Sequence, residues 1–158
     1  MNEKILVPLD GSKVGESALP YVEDLVSKML PDSKVEITLI QVVSSLTHYV
    51  VGGETSAIVA YTEEEINQMK KQAAAYLEKA GQTLKGKGVK TAIQVVAGDA
   101  ADEIIKAADE MNADIIAMST HGRSGLSRWA FGSVTDKVLR GGHHPVLVVR
   151  APKDARQD

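Results

Sequence analysis

Ile5-Leu6-Val7-Pro8-Leu9 is apolar at every position. A strand with one wet face alternates apolar and polar side chains. A strand without that alternation is covered on both faces, as happens in a parallel sheet sandwiched by helices. Val146-Leu147-Val148-Val149, after Pro145, repeats the pattern near the other end of the chain. Between them, short apolar runs alternate with segments of helical period, so the expected fold class is α/β, a three-layer α/β/α open parallel sheet of five strands.

After the first strand, Ala18, Tyr21, Val22, Leu25, Val26 and Met29 step by three and four, predicting a helix with one buried stripe. Pro20 belongs either in its first turn or at a kink, and Pro31 helps to stop it. Val35 to Val43 is the second strand. Residues 44–61 contain Gly52-Gly53 and show no clear period, which predicts a long connection of the kind that forms lids. Thr62-Glu63-Glu64-Glu65 is a capping box. Ile66, Met69, Ala73, Leu77, Ala80 and Leu84 then trace one long helix, ended by Gly86 and Gly88. Thr91 to Val96 is the third strand, Ala101 to Met111 a helix, and Asp114 to Met118 the fourth strand. Val134, Val138 and Leu139 mark a last helix closed by Gly141-Gly142, and Pro145 to Val149 is the fifth strand. Residues 1–150 are expected to form one domain, with a charged, frayed tail over 151–158.

The 158 residues are enough for a core without staples, and with no cysteine there is neither a disulfide nor a thiolate chemistry to consider. Net charge is −3, from 18 basic and 21 acidic side chains, which gives no broad attraction to nucleic acid or anionic membrane. No apolar run reaches the ~18 residues of a membrane span, and Met1-Asn2-Glu3-Lys4 has no signal-peptide layout, so a cytoplasmic location is expected.

Ligands of open parallel sheets bind beyond the carboxyl ends of the strands. Three such ends carry small or polar residues here: Asp10-Gly11-Ser12, Gly98-Asp99, and Ser119-Thr120-His121-Gly122-Arg123-Ser124-Gly125. Gly132-Ser133 precedes the last helix, whose amides and dipole favour an anion. The Ser133 and Thr135 hydroxyls add donors, and Arg123 and Arg128 add charge. Together these residues read as an oligophosphate cradle. The competing reading is that the glycines make a tight turn and Ser133 caps a helix. Asp10 likewise either caps a turn or receives ribose hydroxyls, or reaches Mg²⁺ through water. Gly81 to Gly88 has P-loop spacing, but it lacks the hydroxyl residue and runs from helix into strand. His143-His144-Pro145 reads as a loop before a strand rather than a metal site.

Ser119 to Thr135 resembles the signature of universal stress proteins. Their ATP-binding branch carries glycine, two residues, glycine, nine residues, glycine, then serine or threonine. Gly122 and Gly132-Ser133 match, with nine residues between them, whereas Ser119 stands at the first glycine. The opening strand with Asp10 and the closing strand resemble the family too. The resemblance implies sheet order 3-2-1-4-5, the adenine nucleotide alpha hydrolase-like arrangement. It places adenine near Val42 and Met118, ribose at Asp10, and phosphates at Gly122, Gly132, Ser133 and Val134. Pro8, Leu9, Gly98, Ser119, His121, Arg123, Gly125 and Thr135 complete the candidate site. Mg²⁺ or Mn²⁺ would bridge the phosphates, and a homodimer would form through the edge strand Val146–Val149. The implied role is a nucleotide-responsive regulator in stress survival with an unknown protein partner. Two alternatives stand beside it. One is a slow ATP hydrolase or self-phosphorylating enzyme, for which Asp10 and His121 are the only nearby candidates to orient water. The other is a dimeric interaction protein whose site stays empty or takes a cyclic nucleotide.

Overall fold

A computed structural model describes residues 2–29, 34–44, 46–53, 55–120, 132–152 and 154. The order of elements is β1 (Asn2–Pro8), α1 (Lys13–Glu16), α2 (Leu19–Lys28), β2 (Lys34–Val43), β3 (Thr47–Gly52), β4 (Thr55–Ala60), α3 (Glu63–Ala80), α4 (Gln82–Gly86), β5 (Lys90–Ala97), α5 (Ala100–Met111), β6 (Ile115–Thr120), α6 (Ser133–Gly141) and β7 (Val146–Arg150).

Five strands pair in parallel in the order β5-β2-β1-β6-β7, which is the expected 3-2-1-4-5. The unbroken apolar runs have the reason inferred from them. Ile5 and Val7 of β1 pack with Ile37, Leu39, Val22, Leu77 and Leu84 on one face of the sheet. Leu6 packs with Ile40, Ile116, Ile104, Ala108 and Val138 on the other. Leu6, Val7, Ile37, Leu39, Ile40 and Ile116 are wholly buried, and each is worth about 1.5–3 kcal/mol of burial. The chain winds from β1 through β2 to β5 with α2, α3 and α4 on the first face. It then returns to β6 and β7 with α5 and α6 on the second. The reversal lies between β1 and β6, the position where such sheets open a crevice.

Pro20 sits in the first turn of α2, one of the two places expected for it. Several other local expectations are corrected. A separate four-residue α1 precedes α2. The long helix expected to reach Leu84 breaks at Gly81 into α3 and α4. A β-carbon on Gly81 would stand 3.2 Å from Leu39 Cδ1 and 3.3 Å from Thr91 Cγ2, so the break presses the chain onto β2 and β5. Within residues 44–61, read as patternless, β3 and β4 pair as an antiparallel hairpin, with Val50 opposite Ala57 and Val51 opposite Ser56. Its two faces are both rich in apolar residues, which erases the alternation that marks a half-buried strand. β6 runs on to Thr120, past Met118. Ala151, assigned to a frayed tail, is fully buried.

Candidate functional site

A cavity of about 280 Å³ opens where β1, β2 and β6 end. Pro8, Leu9 and Asp10 line it from the end of β1, Val14 and Gly15 from α1, and Ile40, Val42 and Ser44 from β2 and its exit. Ala100 and Ile104 contribute from α5, Met118 and Ser119 from β6, and Gly132, Ser133, Val134 and Thr135 from the start of α6. Ten of the residues expected at the site therefore meet around one hollow: Pro8, Leu9, Asp10, Val42, Met118, Ser119 and the run 132–135.

Gly98 does not line the cavity. Its amide donates to the Val43 carbonyl at 3.1 Å, its φ is +152°, and the space a β-carbon would take is filled by Glu103 Cγ at 3.0 Å. Its work is to turn the chain from β5 into α5. His121, Gly122, Arg123, Gly125 and Arg128 lie outside the described residues.

The floor of the cavity is apolar and its rim polar. Asp10 is exposed and is one of the residues that line the cavity. Its Oδ1 accepts from the Ser12 amide at 3.0 Å and from the Ser12 hydroxyl at 2.6 Å, so it stabilises a turn. Ser12 in turn caps α1, its Oγ accepting from the Gly15 amide at 3.0 Å. Gly15 has to be small, because a β-carbon there would stand 2.5 Å from Asp10 Oδ1. Ser119, where the family pattern has glycine, donates its hydroxyl to the Gly15 carbonyl at 3.1 Å. That bond draws α1 onto the end of β6 and leaves the cavity open. Thr135 is buried, and its Oγ1 makes a long 3.5 Å contact with the Ser119 carbonyl.

On the side of the cavity formed by α6, Gly132 is the N-cap and, among the described residues, no side chain caps the helix. Ser133 is the first helical residue, so its hydroxyl is not spent as an N-cap. The first-turn amides of α6, which have no partner within the helix, border the cavity. α6 is held in place by Lys137, whose Nζ contacts Asp99 Oδ1 at 3.1 Å. Asp99 also caps α5, accepting from the amides of Ala101 and Asp102 at 3.1 Å each. The Asp102 amide first, and Lys137 second, hold the Asp99 carboxyl below its ordinary range. The same contact raises Lys137.

On the other side of Asp10 and Val42 lies a second hollow, of about 510 Å³, lined by Gly11, Gln41, Met69, Gln72, Ala73 and Tyr76 among others. The Tyr76 hydroxyl is buried beside Glu16 and the Gly11 backbone, with no well-formed hydrogen bond among the described residues. Burial first, and the nearby Glu16 and Asp10 carboxylates after it, push its ionisation well above the usual tyrosine range.

The stretch with P-loop spacing passes from α4 into β5. His144 bridges the Ala113 carbonyl and Asp109 Oδ1, each at 2.8 Å, and so joins the strand-entry loops. Among the described residues, no three His, Cys, Asp or Glu side chains stand together as a metal site. Also among these residues, no helix is long and apolar enough to cross a membrane.

Sequence reasoning missed Val14, Gly15, Ile40, Ser44, Ala100 and Ile104. Ile40 was inside a recognised strand and Ile104 inside a recognised helix. Only the sheet order brings them to one place. Gly15 carried no turn signal at all, since its need is set by a carboxylate across a tight turn.

Residues 1–150 match the Universal stress protein family. Universal stress protein MJ0531 of Methanocaldococcus jannaschii is 31% identical over 155 residues, covering 96% of this chain and 84% of that protein. Universal stress protein MJ0577 of the same organism is 31% identical over 158 residues, covering 95% and 96%. The solved structure of MJ0577 superposes with a TM-score of 0.71 at 29% identity, over 96% of this chain and 97% of that one. An Arabidopsis thaliana family protein, solved with AMP bound, has a TM-score of 0.64 at 18% identity, over 96% and 94%.

Proposed function

The chain belongs to the universal stress protein family, and we propose that it is a nucleotide-responsive member whose strand-end cavity binds ATP. The observation that carries this reading is the shared position of Asp10 and the uncapped start of α6 on one cavity. A carboxylate on one side suits ribose hydroxyls, which donate. Free amides at a helix N-terminus on the other suit phosphate, which accepts. Between them Ile40, Val42, Ile104 and Met118 give the apolar walls that a purine needs. At about 280 Å³ the described hollow is near the lower end of small-molecule sites, roughly 300–1,000 Å³. It suits the base and ribose, with phosphates running out over residues 132–135. The Arabidopsis protein holds AMP in the same fold, but at 18% identity that likeness speaks to the fold alone.

In this reading Mg²⁺ or Mn²⁺ is held by the phosphates themselves, with Asp10 the nearest carboxylate for a water-mediated contact. ATP acts as a regulatory ligand. Asp10 already gives one oxygen to Ser12, which leaves it better suited to holding a ribose than to activating water. The regulatory unit is a homodimer formed along β7, whose outer edge is unpaired within the five-strand sheet.

Calorimetry with Mg-ATP, AMP, cyclic AMP and GTP tests the reading, together with mass spectrometry of any nucleotide released on denaturation. Wild type is expected to prefer adenine nucleotides. Asp10→Ala is expected to lose roughly tenfold or more in affinity, as for one hydrogen bond to a charged group. Equal affinity for ATP in wild type and Asp10→Ala would sink it.

A further inference from the structure

The β3–β4 hairpin is unlike the rest of the molecule. Its strands, Thr47–Gly52 and Thr55–Ala60, contain no Asp, Glu, Lys or Arg. Their register puts Val51 and Ile58 on one face and Val50 and Val59 on the other. All four are exposed: Val51 by 74%, Ile58 by 64%, Val50 by 45% and Val59 by 40%. Leu46, beside the base, is 36% exposed. The base itself is tied down, with the Tyr61 amide donating to the Leu46 carbonyl at 3.0 Å and the His48 and Tyr61 rings 4.5 Å apart. The arm is thus anchored at one end and apolar along its length.

Such an arm does not suit isolation in water. A lone two-stranded hairpin is at best marginally stable, and one that is apolar on both faces lacks even a wet side. Divided between its faces, the five side chains expose roughly 400 Å² of apolar surface in all, in the range of the largest apolar patch on a monomer, which is often a functional one. That is about half of the ~800 Å² that one partner gives to a standard interface.

We propose that this hairpin is a self-association arm, covered by the hairpin of a second copy of this chain. The absence of charge decides the occupant. Contacts between different proteins carry charged and polar groups that select the partner, whereas homodimer interfaces are more apolar. A patch without charge can also meet its own copy about a twofold axis with no like charges opposed. The face of Val51 and Ile58, the more exposed, forms the centre of the contact.

The arm leaves the sheet at the end of β2, whereas β7 is the far edge, so the two contacts are distinct. A chain that uses both closes as a tetramer where the two twofold axes cross at right angles, and one that uses only the arm is a dimer. In either case, losing the arm contact halves the mass, so the test does not depend on β7 or on nucleotide binding. Sedimentation of wild type and of Val51→Glu/Ile58→Glu, without nucleotide, reads that mass, with circular dichroism as the check on folding. The chain has no cysteine, so single-cysteine variants give a second reading that does not require the glutamates to be tolerated. Under mild oxidation Ile58→Cys is expected to cross-link as a dimer. Tyr21→Cys, on an exposed position of α2, is expected not to. Halved mass with selective cross-linking supports the proposal. If the glutamate variant does not fold, selective cross-linking together with a wild-type mass above the monomer supports it. Unchanged mass in a folded glutamate variant, a monomeric wild type, or Ile58→Cys linking no more than Tyr21→Cys overturns it.

Discussion

Gly15 and Asp10 are five residues apart, yet the constraint between them is one of contact rather than sequence. With Oδ1 of Asp10 held by two donors of Ser12, the carboxylate cannot swing away from a new methyl group without losing those bonds. Gly15→Ala is therefore expected to displace Asp10, to weaken nucleotide binding about tenfold, as for one lost charge-assisted contact, and to lower the melting temperature through the lost bonds to Ser12. Calorimetry and thermal unfolding of the same variant separate the two effects. Tyr76 gives a residue-scale prediction in pH. Its phenol stays protonated in the folded chain at pH values where the unfolded chain, with an ordinary value of about 10, has released the proton. Above that value the unfolded state binds fewer protons, so stability falls as pH rises. Urea unfolding across about pH 8 to 11 is expected to show this fall in wild type and a shallower one in Tyr76→Phe.

Three helices, α1, α3 and α5, begin where a side chain satisfies their first amides, and that is local chemistry. Thr62 accepts from the Glu65 amide at 3.2 Å, and Glu65 Oε2 accepts from the Thr62 amide at 2.7 Å, completing the box read in the sequence. Thr62→Ala is expected to cost about 1 kcal/mol of stability by urea unfolding. The Thr62 amide holds the Glu65 carboxyl below its ordinary range, as the Asp102 amide does for Asp99. Stability from such depressed carboxyls is complete above the ordinary carboxylate range and is lost as pH falls below it. The β3–β4 hairpin and the break at Gly81 are element-scale features that local reading did not supply. The hairpin lacks a dry face and a wet face, so periodicity had nothing to mark. Gly81 sits in an unbroken helical stripe, and the need for its bare α-carbon arises from Leu39 and Thr91, far away in sequence.

For the molecule as a whole, ligand and fold are linked by mass action. A nucleotide at a hundred times its dissociation constant adds about 2.7 kcal/mol. For a chain of this size that corresponds to a rise of roughly 5–10 °C in melting temperature. Thermal unfolding with Mg-ATP is expected to show that rise, and Asp10→Ala is expected to lose most of it at the same nucleotide concentration.

From the sequence alone came the five strands, the burial of β1 on both faces, the capping box and the residues at three strand ends. Each of these depends on neighbours within a few positions, or on a run of like side chains. Tertiary structure alone decided that Ser119 bonds to Gly15 across 104 residues, that Ile40 and Ile104 share a cavity wall, and that the hairpin stands exposed. Such contacts are created by the order of strands in the sheet. No local preference encodes the distance between two side chains that meet only after the sheet has assembled.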